Sequence, residues 1–298
     1  MHQSPTHPGS AGVSPAERGG RDARAPSAAR LEPSGASSVS GHHHRSTTYF
    51  WALRLITLVG VLTGWELLGA RVNPIFLSTP SRILAALFDL VRTGQLLVAL
   101  RLSLLGIAIG FSAAITMGVP VGIMMGRSRT VEAILEPYVS ALYVTPRVAL
   151  IPLLLIWFGI GFEAQVVVIF LSSVFPIIVN SYAGVRDISS QLVDTARSFC
   201  ATERQLFFEV ILPASVPFTM TGIRLGIGQA VIGMVVAQMF LALSGLGKLL
   251  VNYGDFFKTD YVFAVVIVIG VLGIALTEAV KLIERRFAHW KESERAFI

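Results

Sequence analysis

LLVALRLSLLGIAIGFSAAITMGVPVGIMM, residues 96–125, carries a single charge, Arg101, in an otherwise apolar and small-residue run. It is longer than the ~18 residues that mark a membrane-spanning helix. Leu, Ile and Val dominate it without the alternation of a barrel strand. Five further stretches share this character: Tyr49–Leu68, Ile134–Phe158, Ala164–Tyr182, Val216–Leu243 and Val262–Leu282. An all-α polytopic membrane protein with about six transmembrane helices is predicted. The chain of 298 residues is 53% hydrophobic and 14% charged, against roughly 25% charged in a soluble domain. No single water-soluble core of this size hides so much apolar surface. A soluble enzyme, a disulfide scaffold and a disordered chain are excluded. The one cysteine, Cys200, allows no internal disulfide and no cysteine metal cluster.

Residues 1–47 have a different composition, rich in Ser, Ala, Gly, Pro, Arg and His. They cannot bury enough apolar surface to fold alone and are expected to form a disordered cytoplasmic tail. A secretory signal would place its apolar core earlier than Tyr49, and the His42–His44 run is a biased, solvated tract. The membrane domain is expected over 48–292, with a short tail at 293–298. The net charge of +6 reports membrane topology and lipid contact rather than nucleic acid. With both termini inside, sixteen Lys and Arg residues fall on the cytoplasmic side and six on the other, leaving Arg147 and Arg224 within spans. That bias places both termini in the cytoplasm.

Three segments outside the spans carry pattern. Leu77-Ser78-Thr79-Pro80-Ser81 precedes Ile83, Leu84, Leu87, Phe88 and Val91, an amphipathic spacing with Thr79 as expected cap and Pro80 in the first turn. Residues 244–261 read as a polar loop opening with Ser244-Gly245-Leu246-Gly247. Residues 185–215 form the one long cytoplasmic loop. In it Leu192, Val193, Ala196, Phe199, Cys200 and Phe207 share one helical face, and Asp194, Arg197, Ala201 and Arg204 the other. Ser189 or Ser190 can cap its start, and Leu212-Pro213 is expected to end it. Such a helix rests on lipid or docks a soluble partner, and the pattern alone allows both.

There is no G-x-x-x-x-G-K-[ST] phosphate loop, no H-E-x-x-H and no G-x-S-x-G. No catalytic residue and no metal site is predicted. Charged side chains inside a span are costly and mark solute paths. Arg147, after Pro146, and Arg224 are the candidates, joined by Gln238 deep in the fifth span. Each also has an ordinary role open to it: snorkelling for the arginines, an interhelical hydrogen bond for Gln238.

The loop resembles the signature of binding-protein-dependent ABC importer permeases: Glu-Ala-Ala, three residues, Gly, then a later Leu-Pro. Here it reads Asp194-Thr195-Ala196, Arg197-Ser198-Phe199, Cys200, then Ile211-Leu212-Pro213. Pro146-Arg147-Val148-Ala149-Leu150-Ile151-Pro152-Leu153 running into Trp157-Phe158-Gly159-Ile160-Gly161 is similar to the sulfonate/nitrate/taurine branch. So are Phe175-Pro176-Ile177, Gly184-Val185-Arg186, Gly222-Ile223-Arg224 and Gly245-Leu246-Gly247. The resemblance covers about residues 50–292. Three departures stand out. Asp194 replaces the family Glu, Cys200 the family Gly, and Val236-Ala237-Gln238 a Val-Ala-Glu. Cys would be costly at a left-handed position, so either position 200 needs no positive φ or the turn is altered.

The resemblance implies the type I ABC importer permease fold and a homodimer of this chain. It also implies a cytoplasmic ABC ATPase dimer and an extracytoplasmic substrate-binding protein as partners. ATP and magnesium are then bound by the ATPase, with no cofactor in this chain. Leu192, Asp194, Thr195, Ala196, Arg197, Phe199, Cys200, Leu212 and Pro213 become the ATPase-coupling residues, and Arg147, Arg224 and Gln238 the translocation path. Leu192, Ala196, Phe199 and Cys200 would fill the ATPase groove or pack under the loop. The expected solute is a small organic anion, a sulfonate, a taurine-like solute or a carboxylate, with nitrate and an uncharged vitamin precursor behind. An ion-coupled carrier or channel is the alternative, disfavoured because no acidic residue falls mid-span. A membrane-anchored scaffold is disfavoured by the Gly and Pro inside spans three and five, which are expected to line a cavity.

Because the phosphate loop is missing, the chain purified free of ATPase subunits is expected to release no phosphate from ATP above the protein-free background. Turnover that tracks the chain through purification would refute this.

Overall fold

The computed structural model describes residues 46–287, so both predicted tails lie outside the described residues except for Ser46 and Thr47, which open the first helix. Two compact units divide the chain after Leu53. The first contributes only the opening turns of α1 (Ser46–Arg71) to the described residues, and the second holds the packed helices. In order these are α2 (Pro80–Arg92), α3 (Gln95–Arg127), α4 (Arg129–Val144), α5 (Ile151–Phe158), α6 (Phe162–Arg186), α7 (Ser190–Ser198), α8 (Glu203–Gln205), α9 (Leu212–Phe240), α10 (Leu246–Asp255) and α11 (Thr259–Phe287). No strand occurs among the described residues.

The bundle is organised around α6, which lies between α3 and α9. Its middle, Ser172–Ile178, is buried on every side. In lipid no hydrophobic drive holds one apolar helix to another, so contact depends on close approach through small residues. On α3 these recur every fourth position: Gly106, Gly110, Ala114, Gly118, Gly122 and Gly126. A Cβ on Gly110 would stand 2.9 Å from the Ile169 side chain and from the Val166 carbonyl oxygen. One on Gly122 would stand 2.5 Å from the Ile178 carbonyl oxygen. On the other side of α6, Gly222 and Gly226 of α9 meet the backbone at Pro176, Ile177 and Ser173.

Four sequence expectations need correction. The third span is not one helix: α4 and the segment Arg147–Phe158 meet at a 95° bend. Pro146 heads a 3₁₀ turn over Arg147–Leu150 there, and Pro152 sits in the first turn of α5. Among the described residues five helices are long and apolar enough to cross a membrane, or six if the bent pair is one span. Residues 244–261 are not a loop throughout, because α10 fills most of them. Gly222, Gly226 and Gly233 are helix contacts rather than cavity lining, since each faces α6 at close range. Thr79 is the cap residue of α2 but its side chain caps nothing. Instead the Glu66 carboxylate of α1 accepts from the Ser81 N–H (3.1 Å) and Oγ (2.6 Å). Trp65 Nε1 also donates to the Ser78 carbonyl at 3.0 Å. The short helix α2 is thus tied to the end of α1 from a distance.

Gly122→Leu is expected to lower the thermal unfolding midpoint in detergent, since overpacking against a backbone carbonyl costs about 1–3 kcal/mol. Gly60→Leu, with nothing within 4 Å of its Cβ position, should melt with the wild type. Equal melting of the two variants would mean that α3 is not held against α6.

Candidate functional site

The loop between α6 and α9 contains two helices separated by a tight turn. Ser189 occupies the cap position of α7, as expected, without a side-chain cap bond. The helix ends in a Schellman motif. The Cys200 N–H donates to the Arg197 carbonyl (2.9 Å) and the Ala201 N–H to the Ala196 carbonyl (3.2 Å). That geometry puts Cys200 at φ 58°. Of the two alternatives left by the sequence, the first therefore fails: position 200 does need a left-handed backbone. A non-glycine residue there costs about 1–2 kcal/mol.

Thr202 restarts the chain as a helix through a capping box with Gln205. From Glu203 to Phe240 the backbone stays helical, so Leu212-Pro213 does not break it, contrary to expectation. A π-helical stretch at Leu206–Ile211 precedes Pro213, which lies in the first turn of α9. The wider turn moves aside the carbonyl that the proline ring would strike and needs no N–H from it. Phe207 belongs to this stretch and lies under the Arg127 guanidinium, 4.8 Å from ring centroid. It does not continue the apolar face of α7.

Leu192, Asp194, Thr195, Arg197, Phe199 and Cys200 are all exposed, with Phe199 at 83%. Ala196, Leu212 and Pro213 are half-buried. Phe199 therefore does not pack under the loop; within one chain it stands free. Asp194 and Arg197 point off the same short helix. Glu203 lies 3.3 Å from Arg197 and 4.0 Å from Arg127, linking α7 to the end of α3. Nearby, Glu132 of α4 accepts from Tyr182 Oη at 2.6 Å and pairs with Arg186. Exposed pairs of this kind contribute about 0–1 kcal/mol each. They orient α7 rather than hold the fold.

The three candidate path residues are not brought together. Arg147 stands at the bend between α4 and α5, its guanidinium 6.0 Å from the Tyr143 ring and its Nε buried without a hydrogen bond. Arg224 of α9 pairs with Glu284 of α11. Gln238, on the same helix, lies fourteen residues further on, about 21 Å along the axis. It is fully buried, so in this structure it is an interhelical tie and lines no open surface. Its Oε1 accepts from Ser103 Oγ and from the Gly247 N–H, each at 3.0 Å. Ser103 Oγ in turn accepts from the Leu246 N–H at 3.1 Å. Two buried side chains from α3 and α9 thus cap α10, whose own cap residue is Gly245. In the last turn of α10, Tyr253 donates to Gln95 Oε1 at 2.7 Å. Partial burial, and then the Asp89 charge, push its phenol pKa above the ordinary value.

Ser103, Glu203 and Glu284 were not singled out by sequence. Ser103 had one available signal, a small polar residue one helical turn before Gly106. The two glutamates had none, because Arg224 and Arg127 reach them from distant helices and Arg197 reaches Glu203 only across the turn that separates α7 from α8.

Residues 118–289 match the family described as binding-protein-dependent transport system inner membrane component. The chain is 32% identical to a putative aliphatic sulfonates transport permease protein, SsuC, of Bacillus subtilis, over 82% of this chain and 90% of that one. It is 32% identical to the taurine transport system permease protein TauC of Escherichia coli, over 83% and 95% respectively. Among solved structures it is similar to an inward-facing MetNI methionine ABC transporter, with TM-score 0.56 and 21% identity over 65% of this chain and 96% of that one. This likeness concerns the fold.

The left-handed turn makes a local prediction. Cys200→Gly should slow hydrogen exchange at the Ala201 amide, and Cys200→Val should speed it, because a β-branched residue tolerates this region worst. Exchange unchanged in both variants would remove the strain assigned to this position.

Proposed function

The chain belongs to the binding-protein-dependent transport system inner membrane component family and is a multi-pass permease component of an ABC importer, and we propose that it carries a small organic anion, a sulfonate or taurine-like solute, into the cytoplasm. The proposal for the solute is supported by what the relatives' names say they transport. The permease is proposed to work as a homodimer in the cell membrane with two ATPase subunits and an extracytoplasmic binding protein. ATP hydrolysis then belongs to the ATPase. Both termini and α7 lie in the cytoplasm on this reading, supported by the sixteen-to-six distribution of basic residues. The permease domain is taken as 48–292, with its coupling loop at 185–215.

The observation that carries the coupling mechanism is α7 itself. It is a nine-residue helix with exposed Leu192 and Phe199 beside Asp194 and Arg197. Large apolar residues rimmed by charge are the anatomy of a protein interface. The ATPase closes when it binds ATP and moves α7 with it. Glu203, between Arg197 and Arg127, links that displacement to the end of α3. The tightly packed α3–α6–α9 stack then moves as one body, and the spans exchange inward-open and outward-open states. Coupling requires that ATPase and binding protein prefer the same permease state. Leu212 and Pro213 open α9 directly after the wide π-helical turn of Leu206–Ile211. Arg147, Arg224 and Gln238 remain candidates for the path. Each of the three carries a buried side-chain nitrogen without a protein partner among the described residues.

Phe199→Asp and the double variant Asp194→Lys with Arg197→Glu are expected to express and melt like wild type, because these side chains are exposed. ATPase co-purification should fall, and hydrolysis stimulated by the loaded binding protein should vanish. Losses above 2 kcal/mol, roughly thirtyfold in affinity, are usual when a central interface aromatic is removed. Wild-type coupling in both variants would mean that α7 rests on lipid.

A further inference from the structure

The end of the bundle opposite α7 holds a cavity of about 360 Å³ between the start of α3 and α10. Gln95, Ser244, Gly245, Lys248 and Asn252 supply its polar lining, with apolar wall from residues such as Val98 and Leu249. No carboxylate lines it. Lys248 is half-buried and has no ion pair among the described residues. Its stem packs on the wall while its charge stays unpaired among those residues. The same wall is the first turn of α10, the positive end of a ten-residue helix.

Behind this wall lies a buried polar group. Gln238 is fully buried, yet its Nε2 has no hydrogen-bond partner. Its amide lies 2.3–2.5 Å from where a Cβ on Gly245 would stand. The amide packs directly behind Gly245, the residue that opens α10, and is not itself part of the cavity wall. Lys248 supplies positive charge and Asn252, Gln95 and Ser244 supply donors, and no carboxylate in the lining opposes them.

We propose that this cavity binds the anionic head of the transported solute, a sulfonate or a similarly small organic anion. Lys248 Nζ is the counter-charge, Asn252 and Ser244 are hydrogen-bond donors, and Val98 and Leu249 hold the alkyl part. The assignment rests on the importer reading above and adds a solute site on this chain itself. It gives the permease a share in choosing the solute at the mouth opposite α7.

The test uses the full purified chain in detergent, with ethanesulfonate as probe and dimethyl sulfone as its uncharged counterpart. Ethanesulfonate should raise the thermal midpoint and dimethyl sulfone should not. Lys248→Met should weaken ethanesulfonate binding about tenfold, the scale on which one charge-assisted contact reads out. Lys248→Arg should keep it, and Asn252→Asp should weaken it by adding a carboxylate. In vesicles holding the permease, its ATPase and its binding protein, Lys248→Met should raise the KM for sulfonate uptake. An ethanesulfonate shift retained in Lys248→Met, or absent from the wild type, would overturn the site. So would reduced uptake in Lys248→Met with unchanged ethanesulfonate binding, because the lysine would then serve the binding protein. If wild-type vesicles take up no sulfonate while the purified chain still binds ethanesulfonate, the importer's solute assignment fails and the anion site stands.

Discussion

The backbone-to-backbone approach of α3, α6 and α9 is the constraint on which the rest depends. Small residues at every fourth position of α3 bring its surface within contact of α6 carbonyls. The glycines of α9 do the same from the other side. In a lipid solvent this close approach supplies dispersion and weak polar contacts that an interface of large side chains cannot. It makes the three helices a stiff body. Any motion in transport then occurs at its margins: the 95° bend between α4 and α5, the π-helical entry to α9, and α7.

The two ends of that body are finished differently. At one end α10 is capped by side chains reaching from α3 and α9, and the donors of its first turn are met by buried groups. A buried polar tie is worth keeping only if its partners stay in register, so this end is tightly specified. At the other end α7 makes only exposed ion pairs through Glu203. It closes its own turn at a backbone angle that cysteine tolerates poorly. An element so weakly held within its chain is suited to take its position from a partner, as the coupling reading requires.

The family motif and the physical geometry explain each other at position 200. A glycine is ordinary at the C′ position of a Schellman motif because the left-handed region carries no Cβ penalty for it. Cys200 occupies the same backbone angle here. The conformation is thus imposed by the hydrogen bonds of Ala196 and Arg197 rather than by the residue's own preference. Gln238 gives the complementary case. Its polarity in an apolar span pointed to a solute path, but its burial and two accepted hydrogen bonds make it an architectural residue in this state.

Much was settled by one-dimensional pattern. Apolar length located five of the spans, because the cost of exposing backbone in lipid leaves a helix as the only economical solution for each. The spacing of Leu192, Asp194, Ala196 and Arg197 located α7 for the same reason that any amphipathic helix is legible: its two faces meet different solvents. What pattern could not supply was everything dependent on who lies opposite. The 95° bend follows from where α4 and α5 must pack, and the helical course through Pro213 from a π turn that no local preference announces. Glu66 capping α2, Glu203 between two arginines, and Ser103 with Gln238 capping α10 join residues 6 to 143 positions apart. Hydrogen bonds and ion pairs are short-ranged in space but indifferent to separation along the chain, so only the tertiary structure decides them.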